Sequence, residues 1–287
     1  MEKKSAPASA TTKPAQKNEG KAGSMFASIV IPVAIIAAVL IYLFILGNPA
    51  NFEGGDNANH PLPGNYLGQV YKGGFIVPIL ISINILVVAF SIERFLTISK
   101  AKGGKGLESF VRSVRQKMNA NDINGAIAVC DQQKGSVGNV VKAGLLKYQE
   151  MHNEHGMTKD QRILAIQKEI EEATALELPI LEKNLVIIST IASISTLVGL
   201  IGTVLGMIKA FAALATASGA PDATQLANGI SEALINTALG ITGSAIAIVA
   251  YNYFTSKIDE LTYSIDEASY SIIQTYAAQH TENNRTI

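Results

Sequence analysis

The sequence contains no tryptophan, a single cysteine and few charged residues. With one cysteine there is no intrachain disulfide, and the zinc patterns that need several cysteines are absent. Charged residues are 16% of the 287, against about 25% in soluble domains. Lys plus Arg equals Asp plus Glu at 23 each, so no global field draws an acidic partner or nucleic acid. No glycine-rich loop is followed by Lys-Ser or Lys-Thr, which leaves no nucleotide site. Cys130 has no identifiable base partner and reads as a buried small apolar residue. His152 and His155 are spaced i, i+3 without a third ligand nearby, so no metal site is expected. No nucleophile–base pair stands out, and the chain does not read as an enzyme. What the sequence has instead is long apolar runs.

Met25–Leu46 carries no charge over 22 residues, and Phe75–Ile92 none over 18. Leu185–Ala217 is 33 residues with one charge, Lys209, and Leu226–Phe254 is 29 with one, Glu232. A membrane-spanning helix needs about 20 residues, so four spans are expected, the last two extending past the hydrocarbon. The first exceeds the 7–15 apolar residues of a signal peptide and reads as a retained span. Lys and Arg number five in residues 1–24, one in 47–74, thirteen in 100–184, none in 218–225 and two in 255–287. By the positive-inside rule both termini and the middle segment lie in the cytoplasm.

Residues 1–24, rich in Ala, Lys, Ser, Thr and Pro, read as a disordered tail. Residues 47–74, rich in Gly, Asn and Pro, read as an outer loop. Residues 100–184 read as a helical cytoplasmic domain. Leu107, Phe110, Val111, Val114 and Met118 form one helical stripe, and Val137, Val141, Gly144, Leu145 and Tyr148 another. Asp122 is placed as an N-cap, and Thr158 with Gln161 as a capping box opening a helix with Ile163, Ile166, Ile170 and Ala173 on one face. No strong stop follows, so one helix is expected from about Lys159 to about Ala217, kinked at Pro179. Glu169, Glu171, Glu172, Glu177 and Glu182 read as its solvated face with Lys168 and Lys183. The spans assigned are 25–46, 75–99, 185–217 and 226–254, joined by a loop at 218–225, with a cytoplasmic C-terminal helix and tail at 255–287. The fold class is all-α.

The last two spans carry the polar residues. Gly199, Gly202 and Gly206 lie on one face, beside Thr203, and Gly240 and Gly243 recur in the fourth span. Small residues at this spacing let helices pack closely in lipid. Glu232 and Asn236 share the fourth span with Thr237, and a carboxyl within a span faces the bundle interior or a wet cavity. The two spans run antiparallel. With Thr203 and Thr237 at one depth, Lys209 and Glu232 fall together roughly 7.5–9 Å farther out at 1.5 Å per residue. They either pair, within or between subunits, near the outer mouth, or Lys209 snorkels to the headgroups and Glu232 sits near water.

Leu200-Ile-Gly202-Thr203-Val204-Leu205-Gly206-Met207, Gly229-Ile-Ser-Glu232 through Thr237-Ala-Leu-Gly240, and Ala250-Tyr251-Asn252-Tyr253-Phe254 resemble the MotA/TolQ/ExbB proton-channel family, as does Glu93-Arg94-Phe95. The resemblance covers about residues 70–275, and the Tyr-Asn ending is nearer ExbB and TolQ than MotA. It implies a homopentamer in the bacterial inner membrane around a pair of ExbD/TolR-like single-span subunits, moving protons and passing work to a TonB- or TolA-like protein. No cofactor is implied beyond the transported proton. Thr203 and Thr237 match the threonines that face the partner's membrane Asp, and Glu232 matches a family carboxylate; Asn236 is placed with them on the pathway. Two features depart from the pattern. The aligned Ile-Pro-Ala stretch reads Ala245-Ile246-Ala247, and the first span is additional to the three of ExbB and TolQ. A MotA-like motility stator and a non-conducting membrane scaffold are the competing readings.

Overall fold

The computed structural model describes residues 19–215 and 223–280, and among these the chain is helical, with one isolated bridge between Phe52 and Pro61. Four helical stretches are long and apolar enough to cross a membrane. The first, α1, is Glu19–Leu40, continued by a π-helical turn over Ile41–Leu46. It begins before the apolar run, so the end of the segment expected to be disordered is helical; residues 1–18 lie outside the described residues. Near its start, Phe26 packs edge-on against Phe90 of the second long helix.

The 47–74 connection is more ordered than its composition suggests. The short helix α2, Tyr66–Tyr71, is capped by Asn65. Asn51 donates to the free carbonyls of Ile45 (2.8 Å) and Leu46 (3.0 Å) at the end of the π turn. Tyr42 stacks on Tyr71 with centroids 4.7 Å apart. The connection is thereby fastened to the first span.

Helix α3, Ile76–Lys102, leads into a helical domain beyond the apolar spans: α4 Leu107–Asn119, α5 Ile123–Gln133, α6 Gly135–His152 and α7 Lys159–Glu182. The stripes of α4 and α6 are buried as their period requires. Asp122 caps α5 by accepting from the Gly125 N–H at 2.8 Å, and the Thr158–Gln161 capping box opens α7. α8, Leu185–Ala215, and α9, Ala223–Gln279, complete the chain. Thr216, Ala217 and most of the 218–225 loop lie outside the described residues. α9 has no proline and runs unbroken for 57 residues, from the last span to the tip of the helical domain.

The expected continuous helix from Lys159 is interrupted. α7 ends at Glu182, Asn184 takes a left-handed φ of 67°, and α8 starts at Leu185. Pro179 sits inside α7. The cause lies on α3. The buried Arg94 donates to the Leu181 carbonyl (3.0 Å) and that of Ile180 (3.3 Å), taking up acceptors that an unbroken helix would use itself. Glu93 pairs with Arg94 and accepts from Asn184 Nδ2 at 3.1 Å. Asparagine tolerates the left-handed turn better than most residues.

Cys130, on α5, is buried in the hydrophobic core, 2% exposed, and burial pushes its thiol pKa up to about 12. It should therefore resist maleimide at pH 8 in the folded protein and react on unfolding. Rapid native labelling would show that this core opens. Cys130→Ala should be well tolerated, and Cys130→Ser should cost about 1–3 kcal/mol for burying a hydroxyl.

Candidate functional site

The site forms where α8 and α9 run antiparallel and glycines bring their backbones close together. A Cβ on Gly206 would lie 2.7 Å from the Gly229 carbonyl, and one on Gly240 would lie 2.7 Å from the Ser195 carbonyl. Gly199 faces Gly240, Gly202 faces the Asn236 side chain, and Gly243 meets Ser195 and Asn84. Close approach makes cross-helix hydrogen bonds possible: Ser195 Oγ donates to Gly240 O at 2.9 Å and Ser244 Oγ to Ala192 O at 2.6 Å.

Thr203 and Thr237 meet across this seam, their hydroxyls in direct hydrogen-bond contact and half-buried. Thr203 Oγ1 also lies 3.2 Å from the Gly199 carbonyl, its own i−4 acceptor. Toward the 47–74 side, Lys209 Nζ donates to both oxygens of Glu232, at 2.6 and 2.9 Å. The pair is within one chain and uneven: the Glu232 side chain is 10% exposed and that of Lys209 is 54%.

Asn236 lies in the same seam, against Gly202. It is fully buried, and its Nδ2 donates to the Gly73 carbonyl at 2.9 Å, tying α9 to the turn before α3. Its Oδ1 has no partner among the described residues. The next residue, Gly74, has φ 77°, and a Cβ there would sit 2.5 Å from Glu232 Oε1. The Gly73–Gly74 turn thus lies on the carboxylate from the first-span side. Sequence reasoning missed this turn; its signal was the glycine pair just before a span. It also missed Asn84, a polar residue inside the second span, which donates to Leu80 O at 2.8 Å and approaches Leu239 O at 3.4 Å.

Gly74→Ala should lower thermal stability more than Gly64→Ala. Both glycines have positive φ, so each substitution carries about 1–3 kcal/mol of backbone strain. Only at Gly74 must the new methyl also push Glu232 aside, since nothing lies within 4 Å of a Cβ at Gly64. Equal losses in detergent melts would show that the turn does not bear on the carboxylate.

Among the described residues no group of three or more His, Cys, Asp or Glu side chains could hold a metal ion. Of the α7 glutamates, Glu171, Glu172 and Glu182 are exposed and Glu169 and Glu177 half-buried, with Lys168 3.6 Å from Glu172. The site is therefore two hydroxyls, one buried carboxylate and its lysine, set in a glycine-tight seam within apolar helices.

Comparison with known proteins bears on this segment. The model of the MotA/TolQ/ExbB proton channel family matches residues 132–267. The Tol-Pal system protein TolQ of Pseudomonas aeruginosa is 34% identical over 125 residues, 44% of this chain and 54% of that protein. TolQ of Haemophilus influenzae is 40% identical over 100 residues, 34% of this chain and 39% of that one. The biopolymer transport protein ExbB of Helicobacter pylori is 40% identical over 95 residues, 33% of this chain and 64% of that one. The chain spans between about two fifths and two thirds of the length of these relatives.

Proposed function

We propose, from the match of the MotA/TolQ/ExbB proton channel family model to residues 132–267, that the chain is the channel-forming subunit of an ExbB/TolQ-type energy transducer. In this reading it is a multi-pass protein of the bacterial inner membrane with both termini in the cytoplasm. Five copies surround a pair of single-span ExbD/TolR-like subunits, and the proton-motive force is passed to a TonB- or TolA-like protein.

The observation that carries the reading is the Thr203–Thr237 contact in the glycine seam of two apolar spans. Uncharged hydroxyls can hydrogen-bond a neutral carboxylic acid or a passing proton without trapping a fixed charge, which suits a path through lipid. A partner Asp facing these hydroxyls would be stabilised when protonated and released when it ionises. The buried Glu232, balanced by Lys209, lies on the outer side of the threonines. It is suited to passing protons between water and the seam, while Asn236 holds the Gly73–Gly74 turn over it.

Four spans also suit a MotA-like stator, but the relatives above are named TolQ and ExbB. Native mass spectrometry of the protein co-expressed with a single-span ExbD/TolR-like protein tests the assignment. A pentamer retaining two partner chains is the expected result. A partner-free monomer or dimer across several detergents would instead favour the scaffold.

A further inference from the structure

We propose that His152 and His280 form a two-histidine site for a borderline transition-metal ion (Zn²⁺, Cu²⁺ or Ni²⁺) at the far tip of the helical domain. His152 is the last residue of α6 and His280 immediately follows α9. They are 128 positions apart in sequence, yet His152 Nδ1 lies 2.9 Å from His280 Nε2. Two imidazole nitrogens side by side on one ion, at metal–nitrogen distances of about 2.0–2.1 Å, are separated by about 2.8–3.0 Å at a right angle and about 3.3–3.4 Å at a tetrahedral one. The helices thus already hold the two nitrogens at chelating separation.

The protons are arranged to suit an ion. His280 Nδ1 lies 3.1 Å from the Tyr276 carbonyl. A carbonyl only accepts, so Nδ1 carries the proton and the Nε2 lone pair faces His152. A metal-binding histidine characteristically gives its second N–H to a carbonyl or carboxylate in this way, which sets the tautomer and orients the ring. Without an ion, His152 Nδ1 donates to that lone pair. With one, His152 keeps its proton on Nε2, and both lone pairs turn to the metal.

The rings are also held in place. Tyr276 stacks on His280 with centroids 4.1 Å apart and planes 13° from parallel. The Tyr276 hydroxyl donates to the Met151 carbonyl at 2.9 Å, one residue before His152. Tyr148 donates to Gln279 Oε1 at 2.6 Å, one residue before His280. The same packing that joins α6 to α9 therefore presets the pair. His152 is exposed, so water can fill the remaining coordination positions. The sequence spacing points to His152 with His155; the fold pairs His152 with His280 instead. Occupied, the site would pin the end of α6 to the end of α9.

The full-length protein, freed of affinity tags and stripped with chelator, is titrated with Cu²⁺ and Zn²⁺ separately. One Cu²⁺ per chain should give an electron paramagnetic resonance spectrum with coupling to two imidazole nitrogens. Saturating Zn²⁺ should raise the melting temperature by about 5 °C, reversibly with chelator. His152→Ala and His280→Ala should each abolish both effects, and His155→Ala should leave them unchanged. His152→Gln, which keeps a polar group at the helix end, guards against a folding defect and should also lose the metal response. A two-nitrogen spectrum that survives His280→Ala, or is lost with His155→Ala, would overturn the proposal. So would the absence of any metal response, which leaves a hydrogen-bonded histidine pair alone.

Discussion

Thr203→Val and Thr237→Val are each expected to cut proton flux by about 10- to 100-fold with little change in folding or assembly. The reasoning is local. Valine keeps the β-branched shape of threonine but removes the hydroxyl, so the glycine seam can still close. What disappears is the hydroxyl–hydroxyl contact across the seam, and a surviving Thr203 hydroxyl keeps the Gly199 carbonyl at 3.2 Å and the Ala233 carbonyl at 3.5 Å. A hydrogen bond to a group carrying charge is worth about 1.5–3 kcal/mol, which at about 1.4 kcal/mol per decade gives the stated range. Thr→Ser at either position restores the hydroxyl and should recover most of the flux. The measurement is pH-gradient dissipation in proteoliposomes containing the partner chain. Wild-type flux in the double valine variant would remove the hydroxyls from the path and favour a scaffold.

The second large effect is expected at the ion pair, and it should be lopsided. Lys209 is more than half exposed, so on losing Glu232 its ammonium can reach the headgroups. Glu232→Gln should therefore cost only about 1 kcal/mol. Glu232 is enclosed, with the Gly73–Gly74 turn against it. Lys209→Met strands that carboxylate, which must then take up a proton or force the turn away, at a cost on the order of 3 kcal/mol. The double variant should be more stable than Lys209→Met alone, because no charge is left stranded. Denaturation midpoints of the three variants in one detergent decide this. Strictly additive losses would mean that the two side chains ignore each other.

Much of this architecture can be read from residue spacing alone. The apolar runs mark all four spans, and the stripes on α4 and α6 mark the faces that are buried. Counting along two antiparallel helices places Lys209 level with Glu232, and the two lie 2.6 Å apart. The features that escape have remote causes. Nothing near Asn184 breaks a helix; Arg94, on another helix, does so by taking the carbonyls at its end. Asn236 shares a helix face with small residues, yet its amide is directed by the Gly73 carbonyl 163 positions away. His152 has a sequence neighbour in His155, but its spatial neighbour comes from the end of the chain. Periodicity reports what a helix does to itself, and these three contacts depend on what other helices bring to it.

The unbroken course of α9 has a mechanical consequence. From Thr237 to Gln279 the helix extends about 60 Å at 1.5 Å per residue. As a stiff lever pivoting at the threonines, it converts a tilt of about 5° into a displacement of about 5 Å at its tip. The antiparallel limb, α8 followed by α7, has an articulation at Asn184. One limb transmits torque and the other can give way, so a small change of angle inside the bilayer would reach the far end of the protein as shear between α6, α7 and α9.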